Sequence, residues 1–253
     1  MGFKQNIIKN LTFKKINRAG RNFQGNITVR GRGSGHKRLY RKVNFDYSLN
    51  FYQVLSREHD PNRNARVSVV RCLLTGAVDY MLSTENTFPG AVLHKKNTVL
   101  NGGRYVLRNL PPNYIISNVG FKLKKGGQMA RSAGSFCKVL QKDYLNLVAR
   151  IKMPSKEERY IPLDSIVSVG AVHSNSHRAK VLEKAGNSRW RGRRPKVRGV
   201  AMNPIDHPHG GGEGKTSGGR PSVTPWGLIT IGRVTRSKRK FTSGSIVKSR
   251  RQF

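Results

Sequence analysis

Positive charge is concentrated at the two ends of this sequence. Residues 1–42 contain 12 Lys and Arg and no Asp or Glu, and residues 186–253 contain 16 against two acids. The stretch 43–185 contains 21 against ten, and the formal net charge of the whole chain is +37. Because so large an excess repels itself in a compact free protein, we expect a polyanionic partner.

Apolar residues are scarce and lie mainly between these ends. They make up 36% of the chain and concentrate in residues 43–185. The 253 residues are enough for one large domain or two small ones. We therefore expect a modest core with a basic extension at each end. No apolar run approaches the ~20 residues that a membrane-spanning helix needs.

The two cysteines and the first residues carry little signal. Cys72 and Cys137 lack a Cys-x-x-Cys partner, so the sequence predicts neither a zinc knuckle nor a disulfide framework, and both are expected in the core. The start of the chain has two interpretations, an organelle transit helix and a basic tail that binds the polyanion. The tail is the favoured one. The residues on which the transit interpretation depends are Phe3, Ile7, Ile8 and Leu11.

Residues 26–170 contain many short β segments separated by Gly, Pro and Asn. Alternation is clearest in 144–152, where residues 145, 147, 149 and 151 would share one face. Short strands with turn signals between them are typical of small barrels. The other candidate strands are 27–30, 43–47, 51–56, 65–74, 91–93, 104–107, 114–119, 136–140 and 160–169.

A joint, a helix and an irregular tail follow from Pro, Gly and capping residues. The prolines in 110–113 block ladder hydrogen bonds, so we place a domain boundary near residue 105. A helix is predicted from about 177 to 185, with Ser176 as its cap and Gly186 at its end. Beyond Gly186 the chain has few apolar groups, so we expect it to fold against its partner.

The first basic cluster, residues 29–42, mixes glycines with cations. Glycine lets the backbone approach a phosphate chain closely, cations neutralise that chain, and Tyr40 can stack on a base. The alternative is a solvated basic loop. A dinucleotide fingerprint is excluded because the glycine spacing is wrong. The candidate nucleic-acid contacts are Arg30, Arg32, His36, Lys37, Arg38, Arg41 and Lys42.

The second cluster, residues 122–134, places a Gly pair beside cations. Free backbone N–H groups of such a turn, next to Lys124, Lys125 and Arg131, form a reasonable seat for a phosphate. An ordinary turn between barrel strands explains the pattern nearly as well. Both interpretations stay open.

The third cluster, residues 188–199, surrounds Trp190 with six cations and no carboxylate. Arginine forks bind phosphates with two hydrogen bonds, and guanidinium or indole planes stack on unpaired bases. Trp190 either stacks on a base or anchors the preceding helix. The arginines expected to face the nucleic acid are Arg189, Arg191, Arg193, Arg194 and Arg198.

The fourth cluster, residues 199–215, admits three kinds of enzyme chemistry. The Gly-Lys-Thr at 214–216 resembles the end of a phosphate-binding loop, but His209 stands where the first glycine is required. His207 and His209 could bind a metal, yet no further ligand beyond Asp206 or Glu213 is evident. Asp206 with His207 could form an oriented general base, but no nucleophile is implied. A Pro- and Gly-bent loop threaded through a crowded partner is the favoured interpretation.

These motifs resemble a known family. Residues 201–214, AMNPIDHPHGGGEG, followed by TPWG at 224–227, resemble the signature of the universal large-subunit ribosomal protein L-two family. The agreement extends to 185–192, 126–134, 60–63 and 35–37, and so spans nearly the whole chain. A DNA-coating or RNA-chaperone protein and a small enzyme centred on Asp206 and His207 are the other two function classes.

The resemblance implies an all-β fold with four parts. These are a basic extension over 1–25, an OB-type barrel over 26–105, an SH3-like barrel over 106–185 that ends in a short helix, and a basic extension over 186–253. It also implies a structural, non-enzymatic role in the large ribosomal subunit, close to the peptidyl-transferase region, with a part in subunit association and translation.

The implied partners are large-subunit rRNA, other ribosomal proteins and the small subunit across the interface. We expect no cofactor other than Mg²⁺ associated with rRNA. In this family a histidine matching His207 has been discussed as a catalytic participant, but the ribosome's chemistry is attributed to RNA, so we assign it a contact role. Further rRNA contacts implied by the resemblance are Gln128, Asn203, His209, Lys215 and Arg220.

The chain departs from the family pattern in four places. The leader before residue 17 is short, the stretch 74–100 matches poorly, Ser34 replaces a usual glycine, and the C-terminal tail is abbreviated. Such drift indicates an organelle-encoded mitochondrial form that works in the mitochondrial matrix. A bacterial cytoplasmic or plastid stromal form is the alternative.

Overall fold

Short antiparallel strands dominate the fold. The computed structural model describes residues 8–45, 51–93, 99–121, 126–214, 216, 219–237 and 239–250. Its strands are β1 (Thr12–Lys14), β2 (Leu39–Arg41), β3 (Tyr52–Glu58), β4 (Val67–Cys72), β5 (Val78–Leu82), β6 (Arg104–Val106), β7 (Ile115–Ser117), β8 (Cys137–Asp143), β9 (Val148–Lys152), β10 (Glu158–Pro162), β11 (Ile166–Val169) and β12 (Ile246–Lys248).

Helical structure is confined to short segments. The α-helix α1 spans Ala185–Trp190, and 3₁₀ turns span Lys9–Leu11, Leu107–Asn109, Asn175–Ala179, Gly199–Ala201 and Phe241–Ser243. Within the described ranges, no helix is long and apolar enough to cross a membrane. The all-β class is therefore confirmed, and the antiparallel sheets are those expected of an OB-type barrel followed by an SH3-like barrel.

The chain divides into two units. The strand unit contains Arg38–Val181 together with the described residues up to Lys15 and from Thr242. The glycine-rich unit contains Ile16–Lys37 and Leu182–Phe241. All the named strands belong to the strand unit.

A three-stranded meander, β3-β4-β5, forms the first large sheet. Its central strand β4 is apolar on both faces, so Val67 and Val69 join one cluster while Val70 and Cys72 join another. The second face also receives Tyr52 and its neighbours on β3, which is bulged between Val54 and Ser56. A strand that is buried on both sides lacks clean alternation, yet its β-branched composition still predicted it.

The seven-stranded sheet has the order β12-β10-β9-β8-β7-β11-β6. Its inward residues form the largest core, which includes Leu107, Leu110, Ile116, Ile151 and Leu163 at 0% exposure. Strand β6 pairs with β11, so 104–106 belongs to this sheet. The domain bounds at 25, 105 and 185 stay predictions.

Both cysteines lie in the core, as expected. Cys72 belongs to the apolar cluster of the meander, and Cys137 belongs to that of the seven-stranded sheet. Burial raises the pKa of the Cys137 thiol to about 12. That thiol therefore stays protonated and unreactive at neutral pH.

The strand predicted over 144–152 is half correct. Ala149 and Ile151 share the buried face, but Leu145 is 96% exposed and Leu147 adopts a left-handed φ of 53°. The reason is a tight turn in which the Asp143 carboxylate accepts the backbone N–H groups of Leu145 and Asn146. Alternation of Leu and Asn in this turn imitated a strand.

Other strand predictions are also corrected. The stretch 160–169 is two strands, β10 and β11, with a turn in which the N–H of Ser165 donates to the Pro162 carbonyl. Residues 27–30 form turns and one isolated bridge, and the sequence missed β1, β2, β5 and β12. Short edge segments have too few residues for a recognisable period.

The helix predicted over 177–185 is wrong. Ser176 lies inside the 3₁₀ turn, the chain is extended at Lys180, and α1 begins only at Ala185 with Gly186 inside it. Glu183 has a left-handed φ of 54°, which interrupts any continuous helix. The Asn187 side chain then donates to the Leu182 carbonyl at 2.7 Å, which ties the irregular segment to α1.

We predict that Ile151→Ala lowers the free energy of unfolding by about 2–5 kcal/mol, because it empties a fully buried site. Leu145→Ala is the control, since its side chain is almost fully exposed and its loss should cost less than about 0.5 kcal/mol. Urea unfolding of the full chain, followed by circular dichroism, measures both. Equal losses would contradict the turn at residues 144–147.

Candidate polyanion interface

The first and third basic clusters lie side by side in the glycine-rich unit. Arg32 and Arg193 form an antiparallel bridge. The N–H of Gly33 donates to the Gly192 carbonyl at 2.8 Å, and the N–H of His36 donates to the Trp190 carbonyl at 2.9 Å. Two segments that are far apart in sequence are therefore one paired strip of backbone, here called the paired strip (residues 31–36 and 190–194).

Glycine makes this close approach possible. At Gly35 (φ +62°) an added Cβ would lie 2.6 Å from the Trp190 carbonyl oxygen and 2.7 Å from the Gly192 nitrogen. At Gly33 it would lie 3.1 Å from the Arg194 side chain. Real Cβ atoms do not approach backbone as closely as at Gly35, so a side chain there would separate the two segments, whereas at Gly33 the Arg194 side chain would have to shift by a few tenths of an ångström.

Cationic side chains flank the paired strip and remain exposed. No ion pair within the part of the chain that the structure describes uses any of them. Guanidinium groups without carboxylate partners are available for bidentate contacts with phosphates. These exposed side chains are Arg30, Arg32, His36, Lys37, Arg189, Arg191, Arg193, Arg194 and Arg198.

Trp190 ends α1 and is 57% exposed, so it is not a core residue. The Lys184 ammonium lies 5.5 Å from the centre of its indole ring. This cation–π contact and the exposed face leave the ring able to stack on a base. Of the two interpretations of Trp190, the anchoring of a preceding helix is wrong, because Trp190 is itself the last residue of α1.

The fourth cluster folds around the imidazole of His207. This ring is 8% exposed, and its Nδ1 accepts the backbone N–H of His209 at 3.0 Å. Gly199 packs against it so closely that a Cβ there would lie 2.5 Å from Nδ1. The loop also closes through the Gly210 N–H, which donates to the His207 carbonyl at 2.8 Å.

The neighbouring His209 ring is used in the same manner. Its Nε2 accepts the backbone N–H of Val223 at 3.1 Å, and its ring centre lies 4.7 Å from that of His207. Each imidazole therefore accepts a backbone N–H with one of its nitrogens. These hydrogen bonds assign the proton of the neutral ring to the other nitrogen. Neither ring presents a free lone pair.

This geometry bears on the enzyme and metal interpretations. A general base or a metal ligand needs an unshared nitrogen lone pair, and both histidines would have to break a loop hydrogen bond to supply one. Among the described residues, no group of three or more His, Cys, Asp or Glu side chains is placed to hold a metal ion.

The remaining candidates of this loop are only partly described. Asn203 is exposed, and its carbonyl accepts the N–H groups of Asp206 and His207. Arg220 is exposed. Lys215, like Lys124 and Lys125 of the second cluster, lies outside the described residues.

A second cationic surface lies in the strand unit, in a cleft of about 420 Å³. Arg131 reaches it from the second cluster, with its guanidinium carbon 4.8 Å from the Phe45 ring centre. The guanidinium carbon of Arg63 lies 5.7 Å from the Tyr40 ring centre and 5.9 Å from that of Phe45. Stacked arginines and aromatic rings beside amides can hold both a phosphate and a base.

Asp60 positions Arg63 in this cleft. Its carboxylate is fully buried, lies 2.8 Å from Arg63 Nε and accepts the backbone N–H of Asn62 at 2.8 Å. Sequence reasoning missed Arg63, Phe45, Asn62 and Asn64 as site residues. The run DPNR at 60–63 could have indicated Asn62 and Arg63. An Asp that forms an Asx turn and holds an arginine three residues later is a pattern that can be read from neighbouring residues alone.

The second cluster is both a turn and part of this surface. Val119 and Met129 form an antiparallel bridge, and the N–H of Gln128 donates to the Val119 carbonyl at 2.9 Å. The Gln128 side chain is exposed, and the Arg131 Nη1 donates to the Gly127 carbonyl at 3.2 Å.

The end of the first cluster lies on β2 in the strand unit, where its cations differ in exposure. Lys42 is exposed, and half-buried Arg38 donates to the Pro61 carbonyl at 2.7 Å. Arg41 is 3% exposed, and its guanidinium lies 3.6 Å from the buried Glu58 carboxylate. Because Arg41 is buried and paired, we correct its assignment from a phosphate contact to a structural residue.

The all-β fold and its cationic, glycine-rich surfaces are typical of one class of protein, namely proteins that bind a structured polyanion. Comparison with known families is more specific. The model for Ribosomal Proteins L2, RNA binding N-terminal domain, matches residues 8–94, and the model for the L2 C-terminal domain matches residues 101–227. The chain belongs to the ribosomal protein L2 family, which confirms the resemblance found in the sequence.

Individual relatives agree over almost the whole chain. Large ribosomal subunit protein uL2 of Parvibaculum lavamentivorans is 43% identical, covering 99% of this chain and 90% of that protein. The protein uL2m of Reclinomonas americana is 42% identical, covering 97% and 90%. The uL2 of Orientia tsutsugamushi is 48% identical, covering 91% and 85%. Bacterial and mitochondrial ribosomal proteins are thus both among the relatives.

We predict that Gly35→Ala weakens binding to large-subunit rRNA about tenfold, or ~1.4 kcal/mol, because the new Cβ separates the paired strip. Gly25→Ala is a matched control: Gly25 also has positive φ (+87°) in the same unit, but nothing lies within 4 Å of its added Cβ. Filter binding of the two full-length variants measures the difference. Equal affinities would show that the pairing does not contribute to RNA binding.

Proposed function

We propose that this chain is an rRNA-binding structural constituent of the large ribosomal subunit. Membership in the ribosomal protein L2 family, with its RNA-binding N-terminal domain, supports the coarse assignment. The observation that supports direct contact with RNA is the paired strip. In it, two basic segments without acidic residues are joined by backbone hydrogen bonds, and their arginines lie along the same pair of segments.

The proposed rRNA contacts are the sequence candidates without Arg41, together with the cleft residues. In the glycine-rich unit, side chains flanking the paired strip bind phosphates and Trp190 stacks on a base. In the strand unit, Arg63 and Arg131 hold RNA between Tyr40 and Phe45. The further proposed contacts are Arg38, Lys42, Lys124, Lys125, Gln128, Asn203, His207, His209, Lys215 and Arg220.

The family resemblance is the basis for proposing a position near the peptidyl-transferase region, and exposed apolar side chains support a crowded position for the glycine-rich unit. Ile205 is 93% exposed, Trp226 78% and Ile231 76%. Apolar groups left this open in a free protein favour association, and rRNA bases and sugars can cover them. We extend the proposal to subunit association, with the small subunit and other ribosomal proteins as further partners, and to support of translation.

No catalytic role is proposed for the chain. His207 and His209 act as architectural acceptors, and the second ring nitrogen of His207 serves as a donor to a ribose or phosphate oxygen. We propose no resident cofactor. Any Mg²⁺ at this interface would be held mainly by rRNA phosphates, with protein carbonyls as secondary ligands.

The mitochondrial ribosome in the matrix is the proposed location. The uL2m relative of Reclinomonas americana, which matches 97% of the chain, supports it. The bacterial relatives match similarly well, so the bacterial cytoplasm and the plastid stroma remain alternatives. Co-sedimentation of the tagged chain with large subunits from fractionated cells tests both the particle and the compartment.

We predict a steep salt dependence for binding to structured large-subunit rRNA, because each neutralised phosphate adds about 0.9 to the slope of log affinity against log salt. Replacing Arg191, Arg193 and Arg194 by Ala should reduce that slope by about 2–3. The control replaces Arg71, Lys138 and Lys152, which are exposed and outside the proposed contacts. If both triple variants changed the slope equally, the arginines would contribute only general charge.

We predict that assembled particles with His207→Gln still form peptide bonds. The change keeps hydrogen-bonding capacity but removes titration, and the ring's Nδ1 is already engaged with the His209 N–H. Peptidyl transfer measured on purified, fully assembled subunits should therefore stay close to the unmutated rate, while assembly can slow. A loss of about 10² or more, the scale of a general base, would contradict the structural role.

A further inference from the structure

One cleft in the strand unit differs from the rest of this cationic chain. It has a volume of about 380 Å³, and among the described residues that line it there is no Lys or Arg. Its polar groups are the Glu85 carboxylate, the amides of Asn86, Asn101 and Asn113, and the Tyr114 hydroxyl. Every one of these groups can offer oxygen to a cation.

The sequence around Glu85 has the same character. Residues 72–94 contain no Lys or Arg and two acids, Asp79 and Glu85, although the whole chain has 49 Lys and Arg against 12 acids. The formal charge of this stretch, which lies between Arg71 and Lys95 in the sequence, is therefore −2. Because rRNA neutralises the other cations in an assembled particle, the groups that line the cleft decide what it binds.

Backbone hydrogen bonds hold the walls of the cleft in place. The Glu85 N–H donates to the Ala171 carbonyl at 3.0 Å, and the Gly170 N–H donates to the Ile115 carbonyl at 2.9 Å. Thr84 forms an antiparallel bridge with Val172. A cleft with such walls is formed before a ligand arrives, so binding does not have to order it.

Two polar groups at this cleft lack partners. Within the described residues, the Glu85 carboxylate has no ion pair. The Thr84 side chain also lines the cleft, and its buried Oγ1 has no hydrogen-bond partner among the described atoms. An exposed carboxylate without an ion pair accepts hydrogen bonds and does not donate them, so it favours a cationic ligand that donates.

The apolar part of the lining narrows the choice of ligand. Tyr114 is 36% exposed and Ile115 is 46% exposed. A Lys or Arg side chain has a long apolar stem that such surfaces cover, and its cationic end is attracted to a tyrosine ring. A hydrated metal ion is not stabilised by contact with these apolar groups.

We propose that this cleft is a docking site for a basic, extended segment of a neighbouring protein, with a Lys side chain beside Glu85. RNA is the poorer ligand, because phosphates would accompany any inserted base and none of the described lining residues is a cation that would neutralise them. The inference rests on the proposed function only in placing the chain within a ribosomal particle.

The test compares two photo-crosslinking positions in the native large subunit. Tyr114→p-benzoylphenylalanine reports on the cation-free cleft, and Tyr40→p-benzoylphenylalanine reports on the arginine-lined cleft. We expect the first to cross-link to a Lys- and Arg-rich segment of another protein and the second to cross-link to rRNA. Cross-linking of position 114 to rRNA, or to nothing, would overturn the proposal.

The two positions also separate this proposal from the proposed function. If position 40 fails to reach rRNA while position 114 reaches a protein, the RNA-binding assignment of the arginine-lined cleft fails alone. Should the Tyr114 variant not assemble, zero-length carbodiimide coupling of the unmodified particle provides the same measurement. Glu85 should then couple to a lysine of another protein, and its absence from all inter-protein products would overturn the proposal.

A charge reversal tests the energetics. Glu85→Lys should lower the yield of that cross-linked neighbour in purified particles about tenfold or more, because it places like charges together. Asp164→Lys is the matched control, since Asp164 is half-exposed and pairs with Arg108 away from the cleft lining. Equal yields from the two variants would overturn the role of Glu85.

Discussion

The shortage of carboxylates determines how this chain uses its arginines. With 12 Asp and Glu for 49 Lys and Arg, most cations cannot form an internal ion pair. The described ion pairs all lie in the strand unit, where acids fix Arg41, Arg63, Arg108, Arg150 and Arg159. Carboxylates thus position arginines of the strand unit, among them Arg63 of the proposed RNA cleft, whereas no described ion pair uses a cation of the glycine-rich unit. The fully buried Asp60 shows the principle best, since it orients Arg63 without exposing any negative charge.

The sequence predicted what depends on composition and short-range pattern. It predicted the all-β class, the family, the core positions of the cysteines and the buried face of Ala149 and Ile151. It failed where a single residue adopts a left-handed conformation, as at Leu147 and Glu183, because no period signals such a residue. It could not predict the paired strip either. The partners are separated by most of the chain, and only the glycines that permit their approach are visible in the sequence.

The histidines of the fourth cluster resemble catalytic or metal-binding residues in the sequence, but in the fold they make hydrogen bonds that hold a loop together. An Asp-His-Pro-His run suggests a base or a metal ligand when only residue types are considered. In the fold, Gly199 packs against the His207 ring, and backbone N–H groups occupy one nitrogen of each imidazole. The His207 residue is buried, and its hydrogen bonds to the backbone fix the course of the loop.

Few described residues of the glycine-rich unit are buried, which favours folding of this unit on its proposed RNA partner. In the described part of the glycine-rich unit, His207 and Val223 are the buried residues. Ordering a residue costs roughly 1–2 kcal/mol of backbone entropy, and two buried side chains cannot offset that cost over a segment of this length. The compensating free energy has to come from phosphate contacts and from covering the exposed apolar side chains. Under the proposed function we therefore expect binding and folding of this unit to be coupled, so that a variant which weakens the paired strip reduces RNA affinity even when no arginine is lost.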